Sequence, residues 1–159
     1  MNTLDAKDIR LLSLLQKNDQ YTALELSEKL GMSASQIGRR RQRLEAEGYI
    51  DSFACRLNPD KLGLGVQAFI QIQTESQTGE THQSVMALVR THPEIIAAWT
   101  LTGDADYIFR VYCTDLAALN HLVQKVLLPH PSIGRVQSQI VMEQMKDDTA
   151  LPLPHPGGT

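Results

Sequence analysis

The chain of 159 residues is short of cysteine, aromatic side chains and net positive charge, and it has no long apolar run. Each shortage excludes something. Its two cysteines, Cys55 and Cys113, lie far apart and outside any CxxC pattern. A disulfide framework is therefore out, a reduced cytoplasmic setting is expected, and both thiols read as small core or strand residues. No apolar stretch approaches the roughly 20 residues of a membrane span, and no signal peptide precedes Leu4, so no membrane partner is expected. Aromatics are only 5% of the chain, and Trp99 and the few others are expected in the core. Enzyme signatures are missing too. The histidines at 82, 92, 121, 130 and 155 lack metal-ligand spacing. No serine sits in a nucleophile elbow. The glycine pattern from Gly63 follows no strand and precedes one, which is wrong for a dinucleotide site. Neither enzyme activity nor a cofactor is expected.

The net charge of −3 argues at first against nucleic acid. Its distribution argues the other way. Residues 1–50 carry eight Lys/Arg against seven Asp/Glu, whereas residues 51–159 carry seven against eleven. A slightly basic head joined to an acidic remainder fits a DNA module coupled to a domain with a different task.

The head centres on TALELSEKLGMSASQIGRRRQRLEAE, residues 22–47. Thr22 with Glu25, and Ser33 with Gln36, have capping-box spacing at two helix starts. Between them the turn Gly31-Met32-Ser33 joins two helices. Ser27, Gly31 and Ile37 take the small, turn and apolar positions of a helix-turn-helix. Asp5 caps an earlier helix whose packing face is Ile9, Leu11, Leu12, Leu14 and Leu15, running to about Lys17. The second helix of the motif carries Arg39, Arg40, Arg41 and Arg43. With Ile37 and Leu44 inward, the 100° step predicts Ser35, Gln36, Arg39 and Arg43 facing away and Arg40 on the flank. Glutamine suits adenine and arginine suits guanine in the major groove of double-stranded DNA, and the other guanidinium groups suit phosphates. After Gly48, residues 49–54 read as a short strand or wing.

Beyond a turn at residues 58–61 the period changes from helical to alternating. Residues 66–73 read as a strand, 81–91 as a helix, and 95–102 and 107–113 as strands. A helix follows from the Asp115 cap to about Leu128, and then a strand over 135–145. The turn Gly103-Asp104-Ala105-Asp106 has hairpin chemistry. The order βαββαβ predicts a ferredoxin-like α/β sandwich. The expected fold class is α+β, a winged helix-turn-helix followed by this sandwich. The expected boundaries are 1–54 for the head, 55–63 for a linker, 64–147 for the second domain, and 148–159 for a mobile proline- and glycine-rich tail.

Five stretches together resemble the Lrp/AsnC (leucine-responsive, or feast/famine) transcriptional regulators: LDAKDIRLLSLLQKN, GMSASQIGRRRQRLEAEGYI, LNPDKLG, LTGDADY and IVMEQMKDDTALPL. The resemblance covers residues 3 to about 153. It implies a bacterial or archaeal, nucleoid-associated protein that dimerises through its second domain and stacks dimers, up to an octamer. It also implies a free amino acid bound between dimers around the Gly-x-x-Asp loop. Carried onto this chain, that site takes Gly103, Asp104, Asp106 and Tyr107, with walls from Leu101, Leu128, Val136 and Ser138. Asp106 is the expected acceptor for the ammonium group, and the apolar walls favour a hydrophobic amino acid. Departures from the family pattern are Arg41 where an apolar residue is usual, Gly38 where a larger one is usual, and Val136 in place of a threonine. The function expected is a sequence-specific, amino-acid-sensing transcriptional regulator. The alternatives are a nucleoid-type architectural protein, or an amino-acid-binding regulatory module with a weak DNA head.

Overall fold

Each of the first three helices starts at a reciprocal capping box. Asp5 with Asp8 opens α1 (Ala6–Lys17), Thr22 with Glu25 opens α2 (Ala23–Leu30), and Ser33 with Gln36 opens α3 (Ala34–Ala46). In each, a side chain three residues into the helix returns to the cap backbone, so free amide donors are satisfied locally. A computed structural model describes residues 4–148 and 150–154. It divides into one unit of Met1–Arg56 with Lys146–Thr159, and a second of Leu57–Met145.

In the first unit, Gly31 ends α2 at φ 63°, a left-handed turn that most residues resist. The Ser27 hydroxyl donates to the Met32 carbonyl across that turn. Met32 swings inward to join Leu11, Leu26, Leu30, Ile37 and Leu44 in the core. Gly38 sits mid-helix with no atom within 4 Å of where a Cβ would stand. Gly38→Ala is therefore expected to stabilise the head by about 1 kcal/mol through helix propensity alone. Chemical denaturation followed at α-helical wavelengths checks this, and a destabilised variant contradicts the open packing.

Three expectations change here. Residues 49–54 form no strand, because no neighbouring strand among the described residues offers backbone partners. Phe53 is 41% exposed, and Arg41 lies 4.3 Å above its ring. Cys55 in the same stretch is exposed rather than buried. The tail expected to be mobile is tied down over its described part. The Leu151 N–H donates to Gln16 Oε1 (2.6 Å), the Gln16 amide returns a bond to the Leu151 carbonyl (3.3 Å), and Leu153 packs on the head core. Residues 155–159 of that tail lie outside the described residues.

The second unit opens with a single 3₁₀ turn at Asp60–Leu62. It then runs β1 (Val66–Thr74), α4 (Gly79–Thr91), β2 (Ile95–Thr100), β3 (Tyr107–Cys113), α5 (Leu116–His121) and β4 (Ile133–Ile140). The four strands make one antiparallel sheet in the order β2-β3-β1-β4. This is the expected ferredoxin-like sandwich. Alternation assigns the faces. Ala68, Ile70 and Ile72 of β1 and Phe109, Val111 and Cys113 of β3 are fully buried against Val85, Leu119 and Leu127 from the helical layer. Burial of each Ile, Val, Leu or Phe among them contributes about 1.5–3 kcal/mol.

The opposite face stays open, and it overturns the aromatic expectation. Trp99 pairs with Ile108 on that face and is 49% exposed, whereas only Phe109 among the large aromatics is fully buried. α5 continues into a π-helical turn over Leu122–Leu127, where the Leu128 N–H reaches back to Val123 (2.9 Å). The wider turn lets Leu122 and Leu127, five residues apart, both point inward. β4 stops at Ile140, short of the expected 145, because Val141 bonds Gln67 at the start of β1 and no partner strand continues past it.

Candidate functional site

Three of the four arginines of α3 bond side chains of the head itself, two of them through one buried carboxylate. Asp8 lies on the core face of α1, three and four residues before Leu11 and Leu12, and its side chain is 1% exposed. Its Oδ1 accepts from Arg40 Nη1 at 2.6 Å and its Oδ2 from Arg43 Nη2 at 2.6 Å, while Asp5 Oδ2 also accepts from Arg40 at 2.7 Å. A buried carboxylate is costly unless paired and hydrogen-bonded, and two guanidinium groups meet that need. The pairing with Asp5 and Asp8 raises the pKa of Arg40, and that with Asp8 raises Arg43's. Partial burial pushes the Asp5 carboxyl up, but the Asp8 amide and Arg40 outweigh it and hold it below its ordinary value.

This corrects the expected orientation. Arg43 turns back to Asp8 rather than facing away, and Arg40 lies inside the same network rather than on a DNA-facing flank. Arg41 is engaged as well, with its Nε 3.1 Å from Glu45 Oε1 and its plane over Phe53. The position where the family pattern has an apolar residue thus still packs on an apolar ring.

What remains directed outward is a smaller set. Arg39 is exposed and forms no ion pair among the described residues. Ser35 sits within 3.3 Å of the Ser33 hydroxyl, and the Gln36 carbonyl oxygen accepts from the Ser33 N–H at 3.1 Å. Gln36 and Arg39, with Lys7 from α1, line a groove of about 320 Å³ beside the start of α3, whose other walls are Asp5, Met32 and the paired Arg40 and Arg43. One free guanidinium and one amide nitrogen at the exposed start of a helix can donate to base edges or phosphates.

In the second unit, the 101–106 loop between β2 and β3 folds over the end of β1. Gly103 takes φ 111°, which only glycine adopts readily. The Asp106 N–H donates to the Ile72 carbonyl (2.9 Å), and the Gln73 amide donates to the Asp104 carbonyl. The Asp106 carboxylate accepts from the Thr74 N–H (2.7 Å), the Thr74 hydroxyl (2.8 Å) and the Gln77 amide (2.6 Å). These bonds, the Thr74 amide first, lower its pKa. The residue expected to receive an ammonium group already has three donors, and it pins the loop to the strand.

The expected pocket residues divide between the two faces of the sheet. Tyr107 and Val136 flank Ile72 in one row, and Ser138 pairs with Ile70 in the next, so all three lie on the helical side. The Tyr107 hydroxyl meets His82 Nδ1 at 3.1 Å, and burial with the nearby Asp106 charge raises its pKa. Leu101 and Leu128 are each 41% exposed. Asp104 instead lines a groove of about 260 Å³ on the open face, with Gln71, Gln73, Ala105, Arg135 and Gln137. None of the four β-strand residues in that groove was singled out from sequence. Their signal was the polar half of the alternation in β1 and β4.

Asp106→Ala is expected to lower the stability of this unit by about 1–2 kcal/mol at neutral pH, through three lost charge-assisted bonds. Because the folded pKa is depressed, that contribution is present above the ordinary carboxylate range and is lost as pH falls through the folded value. The gap between the urea midpoints of parent and variant should therefore be smaller at strongly acidic pH than at pH 7. An equal gap at both pH values contradicts the anchoring role.

Comparison with known proteins bears on both units. Residues 4–51 match the family model for a winged helix-turn-helix DNA-binding domain, and residues 67–151 match that for the Lrp/AsnC ligand binding domain. The glutamate uptake regulatory protein of Zymomonas mobilis is 35% identical, over 95% of this chain and 92% of its own. The DNA-binding transcriptional activator DecR of Escherichia coli is 31% identical, over 94% and 99%. Among solved structures, a Neisseria meningitidis transcriptional regulator in complex with L-Met superposes with a TM-score of 0.92 at 37% identity, covering 96% of this chain and 99% of that one. An AsnC family regulator from Agrobacterium tumefaciens gives 0.87 at 31% identity, covering 94% and 97%.

Proposed function

The chain belongs to the Lrp/AsnC family of transcriptional regulators, and from that premise we propose a sequence-specific DNA-binding regulator that senses a free amino acid in its second domain. The observation that carries the DNA half is Arg39. It is the arginine of the reading helix left without an ion pair among the described residues, on the exposed side opposite Ile37 and Leu44. Ser35 and Gln36 supply the adjacent polar contacts, while Arg40 and Arg43 hold the helix on α1 through Asp8. The sensing half is supported by the 101–106 loop, which gathers carboxylates and backbone donors at one end of the sheet, and by relatives named for glutamate uptake and solved with L-Met.

The open sheet face supports self-association. Trp99 and Ile108 form an exposed apolar pair on it, and a second copy would remove them from water. A dimer brings two reading helices to one palindromic site, and an amino acid that binds one assembly better than another shifts the equilibrium between them. The protein works as a regulator rather than a catalyst, on DNA in the cytoplasm, in dimers or higher assemblies. Gel-shift titration at two salt concentrations, with and without a panel of amino acids, tests the reading. The expected result is salt-dependent binding that one class of amino acid changes. Binding that no amino acid alters removes the sensing half, and no duplex binding removes the DNA half.

A further inference from the structure

The head is completed by a segment from the far end of the chain. The described residues from Lys146 onward belong to the same compact unit as the three helices. Gln16, in the last turn of α1, grips the main chain of Leu151 at both its polar atoms. Its Oε1 accepts from the Leu151 N–H at 2.6 Å, and its Nε2 donates to the Leu151 carbonyl at 3.3 Å. Leu153 is partly buried against the core that holds Leu11, Leu26, Ile37 and Leu44. Arg56 donates through Nη1 to the Asp148 carbonyl. The chain that leaves the head after Arg56 and the chain that returns to it at Lys146 are thus bonded side by side. Pro152 and Pro154 hold Leu151 and Leu153 extended before they dock, which lowers the entropy lost on docking. The seat is small, with one amide clamp, one main-chain bond from Arg56 and one leucine side chain, so a single substitution is enough to weaken it.

We infer that this segment is a strap that gives the head a second attachment, and that Gln16, Leu151 and Leu153 thereby restrict the spacing of the two DNA half-sites that the protein accepts. Residues 51–58 are exposed and lie in no helix or strand. A single stretch of that kind leaves a head free to swivel about it. Two chains bonded side by side, with the returning one seated on α1, resist that rotation. α1 in turn holds the reading helix through Asp8, so the strap acts on the element that orients Arg39. In a dimer, each head must meet a half-site about 10 bp, or one helical turn, from the other. A head that cannot swivel tolerates little departure from its own spacing. The inference goes beyond the dimeric DNA-binding reading and rests on it. These three side chains are positioning residues, since none is placed to touch a base.

Gel-shift with the full-length protein tests this on two duplexes, a selected palindromic operator and the same operator lengthened between its half-sites by about 5 bp, half a helical turn. The parent is expected to lose roughly 100-fold or more in affinity on the lengthened duplex, because its second head no longer engages. In Leu153→Asp and in Gln16→Ala that loss should shrink to roughly tenfold or less. Leu153→Met, which keeps an apolar side chain of similar volume, should behave as the parent does. Both duplexes bind the same heads, so a variant that only weakened the head would lower both affinities alike and leave their ratio unchanged. Hydrogen exchange at the Leu151 amide, without DNA, reports the strap itself. It should be slow in the parent and in Leu153→Met, and fast in the other two. Gln16 is exposed and Leu153 only partly buried, and thermal melts of the variants verify the fold. A spacing penalty that stays at the parent's value in both variants while Leu151 exchanges freely overturns the proposal. So does a fast Leu151 amide, or equal affinity for the two spacings, in the parent. Each of those results leaves DNA binding intact. No duplex binding by the parent overturns the DNA-binding function and the strap's role together.

Discussion

Replacing Asp8 by alanine is expected to unfold the DNA-binding head at a denaturant concentration well below the parent's, with a loss of about 3 kcal/mol. The carboxylate is fully buried, bonds two guanidinium groups at 2.6 Å, and accepts a hydrogen bond from the Asp5 amide at 3.0 Å. Removing one partner of a buried pair costs about 3–5 kcal/mol. Here the lower end applies, because Arg40 and Arg43 keep 26% and 38% exposure and can turn to water. Against a total stability of about 5–15 kcal/mol for a whole domain, that is a large fraction. Urea denaturation monitored by far-ultraviolet circular dichroism provides the measurement. A second readout separates this network from ordinary packing. In Asp8→Asn at low temperature, where the head is still folded, Arg40 keeps Asp5 while Arg43 loses its carboxylate, and the freed Arg43 guanidinium should raise affinity for random duplex and steepen its salt dependence. A variant within about 0.5 kcal/mol of the parent, the range of neutral surface changes, would show that Asp8 does not hold the helix.

The second large effect separates Arg39 from Arg43. Arg39→Ala should abolish most of the preference for a selected operator over random duplex, since one bidentate base contact discriminates by about 1–3 kcal/mol. Arg43→Ala should leave that preference, and the salt slope, close to the parent's. Its guanidinium sits on Asp8 rather than on a phosphate, so the substitution acts through head stability. The four-arginine cluster read as sequence made Arg43 a general phosphate contact. The observed pairing reverses that expectation. Gel-shift at two salt concentrations distinguishes the outcomes, because a lost phosphate contact lowers the slope by roughly 0.9. Such a drop in Arg43→Ala returns that residue to the DNA surface, and undiminished operator preference in Arg39→Ala removes Arg39 from it.

The arginine cluster also shows where sequence reading reached its limit. Counting from Ile37, Arg40 and Arg41 stand three and four positions on, the same inward stripe that holds Leu44 at seven. Asp8 likewise stands on the stripe of Leu11, Leu12 and Leu15. The spacing therefore contained the warning that these charges lie against the core. It did not contain their partners, because Asp8 and Arg40 are 32 residues apart in the chain. Trp99 failed for a related reason. Its strand assignment was right, but alternation alone leaves open which half of a strand meets the helices when both halves carry apolar groups. The helical layer of α4 and α5 covers the Ala98 side and leaves Trp99 with Ile108.

What the sequence determined by itself is whatever closes within a few residues. The capping boxes at Asp5, Thr22 and Ser33 each join positions three apart. The left-handed turn at Gly31, the period-two strands and the βαββαβ order depend on similarly local geometry, so they were legible without coordinates. Tertiary structure alone decided how the charges and faces are spent. It set Asp8 under Arg40 and Arg43, drew the Asp106 carboxylate to Thr74 rather than to solvent, tied Leu151 to Gln16 across 135 residues, and brought Asp104 and Arg135 to one groove. The physical reason is that a charged side chain takes the partner that burial brings within about 3 Å, and that choice depends on the packing of segments far apart in the chain.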